Sequence, residues 1–202
     1  MSTSEKSYHH HDLRAALLTA AIESLEAGES FSLRAVARRA GVSPTAPYRH
    51  FADRDALDSA VAVEGFKDLR ADLRAALGDV AEPAGAEEAV SALGVAYVAF
   101  ALRRPAVFRL MFGNQCDEAN SERVQASEQL HDVLNRAIES LFPGANISSL
   151  STALWSMAHG LAFLHLDGKL RPTPADEVAA RVQSAVAAVF ALHGTSSDTS
   201  LP

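Results

Sequence analysis

Apolar residues recur along this chain at helical spacing. Leu13, Leu17, Ala20, Ala21 and Leu25 fall on one helix face, and Gly28 stands where a helix commonly ends. Ser32 then precedes LRAVARRA, in which Leu33, Val36, Ala37 and Ala40 share a face. Serine is a good N-cap, so a helix of about two turns is predicted there. Gly41 closes it. Ser43-Pro44 opens another, with serine as N-cap and proline at the first helical position. Asp53 can cap a fourth helix, which carries Leu57, Val61, Phe66, Leu69, Leu73 and Leu77. The stretch VAEPAG from Val80 to Gly85 is the clearest break.

Beyond it, Val90, Leu93, Tyr97, Phe100 and Ala101 mark a helix that ends at Arg103-Arg104-Pro105. A compact apolar segment from Pro105 to Phe112 is stopped by Gly113. Val124, Leu130, Leu134, Ile138 and Leu141 define a further helix, ended by Pro143-Gly144, and the next runs from about Ser148 to Leu166. Thr173-Pro174-Ala175-Asp176-Glu177 is a strong start, with an N-cap, a proline at the first helical position and acids in the first turn. Val178, Val182, Val186, Val189 and Phe190 follow it. There is no internal repeat and no strand pattern. The expectation is an all-α protein of about nine helices. A three-helix N-terminal domain is placed at residues 8–54 and a helical C-terminal domain at 55–194, with 1–7 and 195–202 expected to be disordered.

Composition narrows the class. At 202 residues the chain is long enough to bury a core, and its richness in alanine and leucine favours helix. The sole cysteine, Cys116, cannot form an internal disulfide, which points to a reducing, cytoplasmic location. No apolar run reaches the ~18 residues that span a bilayer, and MSTSEKSYHHH lacks the apolar stretch of a signal peptide, so no membrane partner is expected. Net charge is −7, yet its distribution is uneven. Residues 31–54 hold five arginines against Asp53, a local balance of +4, whereas residues 55–202 hold 11 basic and 19 acidic residues. A small basic patch on an acidic body can bind phosphate locally.

The basic patch contains GVSPTAPYRHF, residues 41–51. With Ser43 as N-cap, Pro44 is the first helical residue and Pro47 the fourth, where a missing N–H costs one bond and some local distortion. With the helix before it, this segment makes a helix-turn-helix pattern, whose second helix lies in the major groove of DNA. Thr45 and Ala46 are small enough to let the backbone approach. Tyr48, Arg49 and His50 offer donors to phosphates and bases, and Phe51 is expected to turn inward.

These residues also resemble the DNA-binding domain of the TetR family of transcriptional regulators. The match runs through FSLRAVARRAGVSPTAPYRHFADRDAL, with Gly41-Val42, then Tyr48-Arg49-His50-Phe51, then Arg54 where the family usually has lysine. YHHHDLRAALLTAA is similar to the first helix of one subgroup, and ALWSMAHGLAFL resembles that subgroup's tryptophan-histidine-glycine motif. The resemblance implies a homodimer bound to a double-stranded DNA operator, most simply a repressor released by a small molecule. It also implies that Arg34 reaches a base or phosphate, Thr45 and Ala46 face the groove, and Ser43, Tyr48 and His50 hold phosphates. With Pro44, Arg49 and Arg54 these form the candidate DNA-binding set. Pro44 and Thr45 stand where many members have a polar residue and a glycine. Pro47 replaces the usual branched aliphatic residue.

The remaining candidates concern the C-terminal region. Tyr97, Phe100, Phe108, Met111, Phe112, Trp155 and His159 are candidates to line a pocket for an apolar or weakly polar ligand, or simply to fill a core. Leu154, Leu161, Val178, Val182, Val186 and Val189 are candidates for a dimer contact between the last two helices. His9-His10-His11 could be a purification-tag remnant, a metal site or an arm near DNA; no carboxylate or cysteine cluster supports a metal there. No catalytic set, phosphate-binding glycine loop or metal spacing is present, so no cofactor and no enzymatic activity are expected. The alternatives are a helical small-molecule enzyme around His159 and a protein-interaction module without DNA binding.

Overall fold

A computed structural model describes residues 4–29, 31–79, 85–113, 121–171 and 174–194. Among them are eight α-helices, one short 3-10 helix and no strand. The order is α1 (Ser4–Glu26), α2 (Leu33–Arg39), a 3-10 turn (Ala46–Arg49), α3 (Arg54–Asp79), α4 (Ala86–Arg103), α5 (Pro105–Gly113), α6 (Ser121–Leu141), α7 (Ile147–Leu166) and α8 (Ala175–Gly194). The all-helical expectation holds. Ser4 to Ser7, expected to be disordered, continue α1 instead, because no glycine or proline interrupts the chain before Gly28. Residues 1–3, Cys116 and residues 195–202 lie outside the described residues.

Two compact units form, one from Met1–Lys67 with Arg104–Ser127, the other from Asp68–Arg103 with Glu128–Pro202. The division thus falls inside α3 and α6 rather than after residue 54, and α5 belongs to the first unit.

In the first unit α1 packs on α2 and α5, and α2 packs on the 3-10 turn. Leu17, Ala21, Val36, Phe51, Leu57 and Phe66 are buried there. Local chemistry sets the helix ends. Ser32 Oγ accepts from Ala35 N at 3.2 Å, and Asp53 Oδ1 accepts from Ala56 N at 2.8 Å. Gly41 has φ +69°, and its N–H donates to Arg38 O at 3.2 Å while Val42 N donates to Ala37 O at 3.0 Å. That bond pair ends α2 in a Schellman turn, which needs a residue tolerant of positive φ.

The short helix α5 is held at both ends by charge. Glu26 accepts from Ala106 N at 3.2 Å and Val107 N at 2.9 Å, two of the amides that a helix start leaves unbonded. At the other end the buried Arg123 donates to Leu110 O and Met111 O, at 3.1 and 3.0 Å. An anion at the N-terminus and a cation at the C-terminus both complement the helix dipole.

In the second unit α4 packs on α7 and α8. Val90, Ile138, Leu154 and Val186 form a buried cluster, with Leu134, Phe142 and Phe190 against it. A Cβ on Gly94 would lie 3.0 Å from Val182 Cγ1, so the absent side chain is what admits α8 so closely. Asn146 caps α7 by accepting from Ser149 N at 3.0 Å.

Candidate nucleic-acid interface and ligand cavity

The segment predicted as an α-helix from Ser43 is a turn over Pro44 and Thr45 followed by the 3-10 helix Ala46–Arg49. Ser43 is therefore not its N-cap. Thr45 occupies that position without a capping bond from its side chain, whose Oγ1 is instead hydrogen-bonded to Ser43 Oγ at 3.3 Å. Pro47 explains the change. It has no N–H to offer the Ser43 carbonyl, which accepts instead from Ala46 N, one residue earlier, at 3.0 Å. At the far end the Pro47 carbonyl accepts from both His50 N and Phe51 N at 2.9 Å. Pro47 and Phe51 are buried, so proline fills the place of the usual aliphatic residue. The Arg14 guanidinium lies 5.6 Å from the Phe51 ring centre.

What this turn leaves outside is polar and small. Ser43, Pro44, Thr45, Tyr48 and Arg49 are exposed, Tyr48 by 49%, whereas Ala46 and His50 are half-buried. Arg34 is exposed on α2. Arg54 begins α3 with its guanidinium 5.7 Å from the Phe31 ring centre and Nε 3.8 Å from Asp58. Burial pushes the Asp58 carboxyl above its ordinary pKa, and the Arg54 charge opposes that rise. Arg39 has another task. It bonds Glu23 at 3.1 Å and Glu29 at 2.7 Å, and these two hydrogen bonds hold its charge more firmly. The basic groups available to a phosphate are therefore Arg34, Arg38 and Arg49, all exposed, with Arg54, also exposed, shared with Asp58. The backbone of His9 to His11 is helical, and their side chains fall outside the described residues. No cluster of three or more potential metal ligands occurs among the described residues.

A narrow apolar cavity of about 50 Å³ lies in the second unit, lined by Leu73, Leu93, Tyr97, Leu130, Trp155 and Ala158 among others. Trp155 Nε1 donates to Tyr97 Oη at 3.1 Å, and Tyr97 Oη lies 2.8 Å from His159 Nδ1. Burial lowers the His159 pKa, which favours the neutral ring, and the tautomer of that ring sets which of Tyr97 Oη and Nδ1 is the donor. Burial also raises the Tyr97 pKa, which the Trp155 bond partly offsets. The result is a neutral relay from Trp155 through Tyr97 to His159 in an apolar wall.

Of the predicted lining residues, Tyr97 and Trp155 line this cavity, and His159 stands behind them, in contact with both. Phe100 is fully buried and absent from the lining. Phe108, Met111 and Phe112 belong to the first unit. There Phe112 meets Phe66 edge-on at 5.5 Å and Phe108 at 4.9 Å. The Arg104-Pro105 break separates α5 from α4, so neighbours in sequence line different cores.

The expected dimer stripe is also corrected. Leu154, Val178, Val182 and Val186 are buried inside the protomer, because the i, i+4 valines are the face that α8 packs on α4. Val189 is 43% exposed and Leu161 half-buried; Leu164 and Leu192 are also exposed, at 43% and 69%. No single helix among the described residues is long and apolar enough to cross a membrane.

Comparison with known proteins agrees with this architecture. Residues 17–61 match the model of bacterial regulatory proteins of the tetR family, and residues 90–195 that of the tetracyclin repressor-like C-terminal domain. An uncharacterized HTH-type transcriptional regulator of Haemophilus influenzae is 33% identical over 129 residues, 62% of this chain and 62% of that protein. The chain thus spans less than two thirds of that curated relative. A solved protein of unknown function from Rhodococcus sp. RHA1 is 35% identical with a TM-score of 0.73, covering 86% of this chain and 93% of that one. The TetR family transcriptional regulator PfmR from Thermus thermophilus shares the fold at 20% identity and a TM-score of 0.60, over 86% of this chain and 96% of that one. The C-terminal match alone takes in more than half of the 202 residues, and the chain belongs to the TetR family of bacterial regulatory proteins.

Proposed function

We propose that the protein is a homodimeric, cytoplasmic transcriptional repressor that a small-molecule effector releases from double-stranded DNA. The observation that carries this reading is the segment Ser43–His50, whose apolar Pro47 is buried while Ser43, Thr45, Tyr48 and Arg49 face out beside Arg34 and Arg54. Ser43, Tyr48, His50 and Arg54 hold phosphates, and Arg34, Thr45 and Arg49 approach the bases. Pro44 and Ala46 keep the reading end small. With few base-directed donors, DNA shape supplies part of the specificity. Two subunits read half-sites about one DNA turn apart or a multiple of it, joined through the exposed Leu164, Val189 and Leu192 surface. Trp155, His159 and Gly160 support a place in the subgroup with the tryptophan-histidine-glycine motif. An apolar effector that widens the Tyr97–Trp155 cavity is bound more tightly by the form that does not hold DNA, and α3, which contributes to both units, transmits the change.

The test is fluorescence anisotropy with the DNA upstream of the protein's own gene. Tyr48→Ala with Arg54→Ala abolishes binding, and log affinity of the native protein falls steeply with log salt. Unchanged affinity in the double variant rules the assignment out.

A further inference from the structure

Three arginines of the second unit line one open crevice. Arg70 and Arg74 stand one turn apart on α3, and Arg136 stands on α6. The crevice holds about 530 Å³, within the size range of small-molecule sites. Among the described residues its only acidic lining residue is Asp132. The unit as a whole carries seven basic and 13 acidic side chains, so three of its seven cations are gathered where chance would favour acids.

The arrangement is not self-neutralising. Arg103 is paired with Asp72 at 2.6 Å, whereas Arg74, Arg136 and Asp132 make no ion pair among the described residues. Arg70 and Arg74 are like charges four residues apart, a repulsive spacing on a helix. Arg70 Nη1 donates to the side-chain oxygen of Gln129, which fixes the guanidinium at the wall while leaving its charge uncompensated. The rest of the lining is largely apolar, with Leu77, Val133 and Leu141. A bare inorganic anion would leave that surface uncovered, and a neutral apolar molecule would leave the guanidiniums without an acceptor.

We propose that this crevice binds an organic anion. Its carboxylate or phosphate sits among Arg70, Arg74 and Arg136, which offer forked donors suited to either group. Its apolar body covers Leu77, Val133 and Leu141. The site is separate from the Tyr97–Trp155 cavity, which shares only Leu141 with it. An effector role for the anion rests on the repressor reading; its binding does not.

Isothermal titration of the full-length protein with octyl phosphate, octanoate, 1-octanol and inorganic phosphate tests this. At least one of the two amphipathic anions binds, and their order tells phosphate from carboxylate. 1-Octanol and inorganic phosphate bind at least about tenfold more weakly, as expected for the loss of a charge-assisted bond or of apolar cover. Arg74→Gln with Arg136→Gln lowers the anion affinity by about tenfold or more and leaves weak 1-octanol binding unchanged. Equal binding of 1-octanol, no binding of either amphipathic anion, or full affinity in the double variant overturns the proposal. If that variant melts early, the native protein decides: octyl phosphate affinity falls as sodium chloride rises, and a flat response overturns it. A protein that binds octyl phosphate but no DNA defeats the repressor reading alone. One that binds DNA but neither anion defeats this inference alone.

Discussion

Tyr97 Oη stands 2.8 Å from His159 Nδ1, and the same oxygen accepts from Trp155 Nε1 at 3.1 Å. Tyr97→Phe removes the hydroxyl that partners both Trp155 and His159 while keeping the ring. Buried polar groups that lose a partner cost about 1–3 kcal/mol. The urea midpoint is expected to fall by that equivalent with the m-value unchanged. A loss under about 0.5 kcal/mol, the floor for a net hydrogen bond, contradicts the relay.

The same network gives a pH dependence. Burial lowers the pKa of His159; it also lowers that of His165, where the Arg181 charge adds to the effect. In the unfolded chain both histidines titrate near about 6.5 and so take up protons first as pH falls. Stability is therefore complete above that value and declines as pH drops through the window down to the lowered folded values. Asp58 has the opposite sign: its raised pKa is a cost at neutral pH that fades as pH falls through its folded value. Thermal unfolding between about pH 7.5 and 5.5 is expected to show a falling Tm, and a smaller fall in His159→Gln. Equal slopes in the two proteins would mean that His159 does not titrate differently on folding.

Local signals are legible in the sequence, and long-range ones are not. Ser32, Gly41 and Asp53 end or start helices through bonds to residues a turn away, so their types alone announce the boundaries. Phe51 points inward as its place after the polar tripeptide suggests. Glu26, by contrast, caps a helix 80 residues further on, and nothing near either partner marks the contact. The pairing of Phe112 with Phe66 is similarly distant, which is why spacing alone puts α5 in the wrong core. The valines of α8 announce an apolar face but not whether a neighbouring helix or another subunit covers it. Gly94 is the available clue, since a glycine facing Val182 implies a close intramolecular approach. The 3-10 turn escapes a reading that weighs Pro47 as one missing bond, because the Ala46 amide claims the vacant carbonyl and tightens the turn.

Pro47→Ala restores an N–H that can donate to the Ser43 carbonyl in an α-helical turn. The new bond contributes about 0.5–1.5 kcal/mol. The unfolded chain meanwhile gains freedom that costs about 0.4–1 kcal/mol, and buried apolar surface is lost as well. Net stability is expected to change by less than about 1 kcal/mol, while the residue-47 amide becomes protected in hydrogen exchange. Rapid exchange of that amide would mean that something other than proline sets the 3-10 geometry.

Gly65 offers the sharpest test of packing in the first unit. A Cβ there would lie 2.5 Å from Met111 Sδ and 2.8 Å from Val107 Cγ1, so α3 and α5 touch through the missing side chain. Gly65→Ala improves helix propensity by about 1 kcal/mol. The clash opposes it: overpacking costs about 1–3 kcal/mol, and Val107 is fully buried with no room to retreat. A net loss of up to about 2 kcal/mol is expected. Met111→Ala alone leaves a cavity and costs about 2–5 kcal/mol. In the double variant the new methyl enters space that the methionine vacated, so the combined loss falls short of the sum by about 0.5–3 kcal/mol. Urea unfolding of the four proteins completes the cycle, and strict additivity would show that the two helices do not meet at Gly65.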